Sequence, residues 1–103
     1  MRSLLALLLL AAAVGCGPVQ STSALIDADV ELEGARAAGA ATAAPYEYHS
    51  AEAYLHKARE KSGHAQYEEA IGYAVKAREL AQGARKKALA ASNREQREPE
   101  VGP

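Results

Sequence analysis

YEEAIGYAVKAREL, residues 67–80, places Tyr67, Ala70, Ile71, Ala74 and Ala77 three and four positions apart, the step of one face of an α-helix. Followed outward, the same stripe reaches Ala81, Ala88 and Leu89. Arg85, Lys86, Lys87 and Arg94 gather toward its end, the end of a helix dipole that favours positive charge. The spacing predicts a long helix over about residues 66–93. Alanine supplies 25 of the 103 residues while Phe and Trp are absent, so any core is thin and leans on helix propensity. The expected class is all-α.

Upstream, Gly63-His64-Ala65 forms a tight turn, with Gly63 suited to the left-handed position that ends a helix. Before it, Pro45 opens a helix as a first-turn proline, with Glu47 near its positive end. Ala51, Leu55, Ala58 and Ser62 make its inner stripe, flanked by Tyr48 and Tyr54. Leu25, Ala28, Leu32 and Ala35 share a face of an earlier helix, expected over 23–40, with Ser21 or Ser23 as its cap and Gly34 and Gly39 weakening it. The result is an antiparallel hairpin within a three-helix arrangement. Its last helix, roughly 42 Å long against about 25 Å for its neighbour, projects past the end of the pair. An antiparallel first helix would set its acidic start near Lys57, Arg59 and Lys61.

The N-terminal segment is of another kind. Met1-Arg2-Ser3 precedes an unbroken apolar run over 4–14, then Gly15 and the sole cysteine, Cys16. A basic start, a short apolar run and small residues before a cleavage point form a secretory signal. Eleven residues reach about half of a ~30 Å hydrocarbon core, too short for a membrane span. Ala13-Val14-Gly15-Cys16 resembles the lipobox of bacterial lipoproteins, in which the cysteine sulfur is acylated and the chain is cut before it; Ala13 stands where leucine is commonest. The expected organisation is a signal peptide over 1–15, a lipidated Cys16 with a tether to residue 22, a helical domain over 23–93 and a disordered tail over 94–103. Gly17 is not the aspartate of inner-membrane retention, so the resemblance implies the periplasmic face of the outer membrane.

Two further resemblances cover the helices. Tyr67, Ala70, Tyr73 and Ala77 are similar to the second half of a tetratricopeptide repeat, which implies a TPR-like hairpin but not a solenoid. Residues 44–80, APYEYHSAEAYLHKAREKSGHAQYEEAIGYAVKAREL, resemble a domain of unknown function found in bacterial envelope lipoproteins, where PYEY, AEAYL–KA and Y-x-x-A follow a lipobox. Some members carry an OmpA-like domain as well. The resemblance implies location and fold, and peptidoglycan binding is not carried over.

Chemistry-bearing motifs are few. His49 and His56 are seven residues apart, about 10 Å along a helix, so a solvated face accounts for them better than a metal site. No phosphate loop, nucleophile–base arrangement or cofactor motif is present, so neither an enzyme nor a cofactor is expected. Charge is nearly balanced at −1, which gives no reason to expect nucleic acid. The candidate partner surface is Tyr46 and Tyr73 with Arg85, Lys86 and Lys87. Together these features predict a non-enzymatic outer-membrane lipoprotein, attached by its lipid, that presents a helical module to an envelope protein. The alternatives are a structural lipoprotein associated non-covalently with peptidoglycan and, more distantly, a periplasmic metal or ligand binder.

Overall fold

Alanine at the contact faces sets how near these helices come. In the computed structural model, which describes residues 1–14 and 16–97 and the side chains outside 10–16, the elements are α1 (Arg2–Val14), α2 (Cys16–Ala37), α3 (Ala40–Ala43), α4 (Pro45–Gly63) and α5 (Tyr67–Arg97). There is no strand among the described residues. α2, α4 and α5 pack on one another, and α1 meets only α2. Ser21 lies beside Ser62 and Arg36 beside Tyr48, so α2 and α4 run antiparallel. α5 returns antiparallel to α4, with Lys61 beside Glu69 and Glu47 beside Lys87.

Each helix carries an inner seam that steps by three and four. On α5 the buried positions are Ala70, Ala74, Ala77, Ala81, Ala84 and Ala88. On α4 they are Tyr48, Ala51, Leu55 and Ala58, and on α2 they include Ser21, Ala28, Leu32 and Ala35, with Leu25 packed against them. This 3.5-residue period is that of coiled-coil seams. Methyl groups at every buried position of α5 suit the short end of the ~8–10 Å range of helix packing. Among the described residues Leu55 is the one large apolar side chain that is fully buried, at 1% exposure. The single buried polar side chain among the described residues, Ser21, is satisfied by the Ser62 hydroxyl at 3.1 Å.

Several boundaries differ from those expected. α2 begins at Cys16, not residue 23, so residues 16–22 are its first turns and not a flexible tether. The reason is packing. Ser21, expected as a cap, occupies a seam position, and a Cβ on Gly17 would stand 3.3 Å from the Tyr67 ring, so the start of α2 packs closely on α5. Pro18 is tolerated in a first turn. α2 also stops at Ala37, before residue 40, because Gly39 turns to φ 82° and its N–H bonds back to the Arg36 carbonyl. The one-turn α3 follows. Ala44, barred from helical geometry by the proline after it, takes φ −140° and lets Pro45 start α4.

At the next turn the left-handed residue is Ala65, at φ 59°, while Gly63 remains the last residue of α4. An L-residue there costs about 1–2 kcal/mol, more than the roughly 0.5–1 kcal/mol of chain entropy that glycine would lose. Ala65→Gly is therefore expected to raise the thermal midpoint by several degrees in circular-dichroism melts, and Gly63→Ala, whose Cβ meets nothing within 4 Å, is expected not to lower it.

α5 runs to Arg97, so residues 94–97 of the expected tail are helical; 98–103 lie outside the described residues. Leu89, expected on the inner stripe, is 47% exposed, and Ala84 is buried instead. The 3.5 period carries the seam from Ala81 through Ala84 to Ala88, one position before Leu89. Beyond it both neighbours have ended, since α2 stops at Ala37 and α4 starts at Pro45. The last turns of α5 therefore overhang the pair.

Candidate functional site

The side chains singled out as a partner surface do not converge. Tyr46, at the second position of α4, is 77% exposed. Tyr73 lies half-buried against the stacked ring of Tyr54, centroids 6.1 Å apart, with the Lys57 ammonium 5.2 Å from its ring centre. Fourteen residues of α5, about 20 Å, separate Tyr73 from Lys87. The tyrosine pair and the basic cluster are thus two places on the molecule.

The three cations also diverge. Arg85 rests over Gly34 of α2, where an added Cβ would stand 3.4 Å from its guanidinium. Gly34, expected only to weaken its helix, gives that side chain its seat. Arg85 and Lys86 line a shallow groove with Glu31, Gln82 and Leu89, in which Gln82 Nε2 donates to Glu31 Oε1 at 3.4 Å. Lys87 turns the other way and donates to Glu47 on α4. Two of the three cations therefore brace neighbouring helices.

The same end of the bundle holds a cluster that the helix stripes gave no sign of. Tyr48 is buried at 4% exposure, and its hydroxyl accepts a 2.8 Å bond from Arg36 Nε. The Arg36 guanidinium also pairs with Glu33. The hydrogen bond it donates to Tyr48, then the charge of Glu33, raises the arginine pKa further above an already high value. Only the Glu33–Arg36 spacing of three was legible beforehand; the reach from α2 to α4 had no sequence signal. Toward the other end, Arg59 Nη2 donates to Asp29 Oδ1 at 2.9 Å, the cross-helix charge match expected for antiparallel α2 and α4.

Glu47 titrates below the ordinary glutamate range, chiefly through its hydrogen bond from Lys87, with a backbone hydrogen bond and the lysine charge adding to it. A carboxylate whose pKa is lowered by folding adds stability above its unfolded value, and that stability is lost as pH falls through the folded value. Urea unfolding from neutral pH downward should show wild type losing more stability across the acid range than Glu47→Gln. Equal losses would mean the pair is too solvated to matter.

Other chemistry is sparse. His49 shares a 2.8 Å hydrogen bond with Glu52, and His56 and His64 are exposed. No group of three His, Cys, Asp or Glu able to hold a metal ion gathers among the described residues. No helix among them is long and apolar enough to cross a membrane. Cys16 opens α2.

The sequence profile of the family described as Domain of unknown function (DUF4398) matches residues 23–99, three quarters of the chain. The chain belongs to the DUF4398 family. The matched span takes in all of α3, α4 and α5 and most of α2, so the family domain is the three-helix body. No curated protein and no solved structure matches the chain.

Proposed function

We propose that this DUF4398 chain is a non-enzymatic lipoprotein, cut before Cys16, acylated on its sulfur and held at the periplasmic face of a bacterial outer membrane. There its helical body serves as a protein-interaction module. One observation carries the reading. Leu4, Leu5, Leu7, Leu8 and Leu9 are each at least 68% exposed, while the core is assembled from α2 onward without them. An apolar run that a fold leaves unused, followed by a sole cysteine, fits a segment that serves export and is then removed. Each buried CH₂ of an acyl chain contributes about 0.8 kcal/mol, so two or three chains hold a protein nearly permanently.

The α4–α5 hairpin is read as TPR-like, supported by Ala70 and Ala77 buried at the helix contact near Tyr67 and Tyr73. Its exposed Tyr46 and the Arg85–Lys86 groove are the surfaces offered to a partner. A second reading, non-covalent contact with peptidoglycan, is favoured by the overhang of α5 with Arg94 and Arg97 in its last turn. Co-sedimentation of the mature domain with purified sacculi supports that reading, and capture of one defined envelope protein supports the first.

Labelling cells with a fatty-acid probe tests the anchor. Wild type should carry the label on a protein whose mass begins at Cys16, and Cys16→Ser should lose the label and accumulate with residues 1–15 attached. Equal labelling of the two would end the lipoprotein reading.

A further inference from the structure

α2 has a second seam, on the side away from the bundle. Val19, Ile26 and Val30 are 68%, 57% and 63% exposed and step by seven and four residues. At 100° per residue they lie 160–200° from buried Ala28. Ser23, also exposed, fills the step between Val19 and Ile26. Pro18, Val19, Thr22, Ser23, Ile26 and Asp27 together line a shallow depression on this face. Residue numbers 16, 19, 23, 26 and 30 advance by three, four, three and four, so the seam starts at the register of Cys16. Because α2 is helical from Cys16 onward, no loose tether separates the two.

We infer that Val19, Ile26 and Val30 rest on the surface of a zwitterionic lipid bilayer, so that α2 lies along the membrane into which the acyl chains of Cys16 insert. This rests on the lipid-anchor reading above. Area and charge select the occupant. From Val19 to Val30 the seam is about 16 Å long and one helix, roughly 10 Å, wide. That is about a quarter or less of the ~800 Å² per partner that a stable protein interface needs. A second copy of the chain held by this face alone would not stay bound. A bilayer sets no such threshold, because the acyl chains supply the affinity and keep the seam permanently within reach of the surface.

The charges flanking the seam favour a zwitterionic surface over an anionic one. Asp27, Asp29 and Glu33 border it, and the nearest cations, Arg59 and Arg36, are engaged with Asp29 and Glu33. Among the described residues, no unpaired cation on this face of α2 meets an anionic headgroup. The remaining helices then ride above α2, and the Tyr54–Tyr73 pair and the basic groove stay open to the periplasm.

Thiol labelling reads this directly, since an acylated Cys16 is a thioether and an introduced cysteine becomes the sole reactive thiol. Full-length protein bearing Ile26→Cys, Val30→Cys or, as a reference, Glu79→Cys on exposed α5 is purified from membranes and its Cys16 mass recorded. It is then labelled with an environment-sensitive fluorophore and placed in phosphatidylcholine–phosphatidylethanolamine vesicles. Probes at 26 and 30 should brighten several-fold, shift to the blue and resist an aqueous quencher at every protein-to-lipid ratio, while the probe at 79 stays as in detergent. Acylated protein with probes at 26 and 30 as wet as at 79 would overturn the inference and leave the anchor standing. Protection that vanishes on dilution in lipid would overturn it in favour of a second copy. A mass without acyl chains would overturn both readings together.

Discussion

Leu55→Ala should leave the helical body without a cooperative unfolding transition at 25 °C. Leu55 is 1% exposed and, among the described residues, is the only large apolar side chain buried to that degree; Tyr48 and Leu32 follow at 4% and 6%, and the rest of the buried core is alanine. Leucine-to-alanine changes at such sites cost about 2–5 kcal/mol, depending on how far the surroundings collapse into the space. Here collapse is hindered, because most of the buried core is alanine, which has no rotamers with which to reach inward. A body this small has roughly 3–5 kcal/mol in all, so one deletion removes most of it. Far-ultraviolet circular dichroism alone would understate the effect, since an alanine-rich α5 keeps part of its helicity when unpacked. The informative signals are the near-ultraviolet signal of Tyr48, expected to vanish, and a urea curve, expected to lose its sigmoid. A sigmoid within 1 kcal/mol of wild type would mean that the core is less dependent on Leu55 than its burial indicates. Leu55→Met, which keeps the volume, should stay folded.

Much of this architecture was legible because two residue types speak unambiguously. Alanines at three- and four-residue steps mark both helices and the faces they bury, and Pro45 marks the start of α4. Most of each stripe was legible, Ala28, Leu32 and Ala35 on α2 and Ala51, Leu55 and Ala58 on α4, but Ser21 and Tyr48 complete the buried seams where Leu25 and Ser62 stay half-buried. The projection of α5 was legible too, yet it begins beyond Ala88 and not at Arg85, which rests over Gly34. What failed was finer. A wheel at 100° per residue put Leu89 inside, whereas the seam follows the 3.5 period of helices that wrap each other and buries Ala84. Glycine was read by propensity, yet Gly17 and Gly34 are occupied by Tyr67 and Arg85 from another helix, a relation no local rule contains. Ala65 took the left-handed position that Gly63 was suited to, because the chain needs two more residues to swing into α5. The candidate site was the least legible part. Helix geometry sets Tyr73 and Lys87 apart, although residue type alone groups them, while the pairings of Arg36 with Tyr48 and of Glu47 with Lys87 exist only once α2, α4 and α5 come together.

Ala81→Leu should damage the fold nearly as much as Leu55→Ala, in the opposite sense. Ala81 has no exposure and sits mid-seam, between Ala77 and Ala84, on α5, the helix that packs on both α2 and α4. Overpacking a core costs about 1–3 kcal/mol, and the upper end or beyond applies where the excess cannot be absorbed by moving a flexible neighbour. Here most of the buried core is alanine, so three added carbons find few flexible side chains to displace and must push helices apart, loosening the packing at Ala74, Ala77 and Ala84. The thermal midpoint should fall by at least about 10 °C, on the scale of 4–8 °C per kcal/mol for a domain of this size, and a hydrophobic dye should bind. Ala90→Leu, at an exposed position on the same helix, should change neither. The pair separates two explanations for so much alanine. Leucine and alanine differ little in helix propensity, so if alanine served only to keep the helices helical, both substitutions would be tolerated alike. A large effect at 81 with none at 90 would mean that alanine is there for distance, with each seam methyl fixing how near α5 stands to its neighbours. Tolerance of leucine at both positions would refute the close-packed seam.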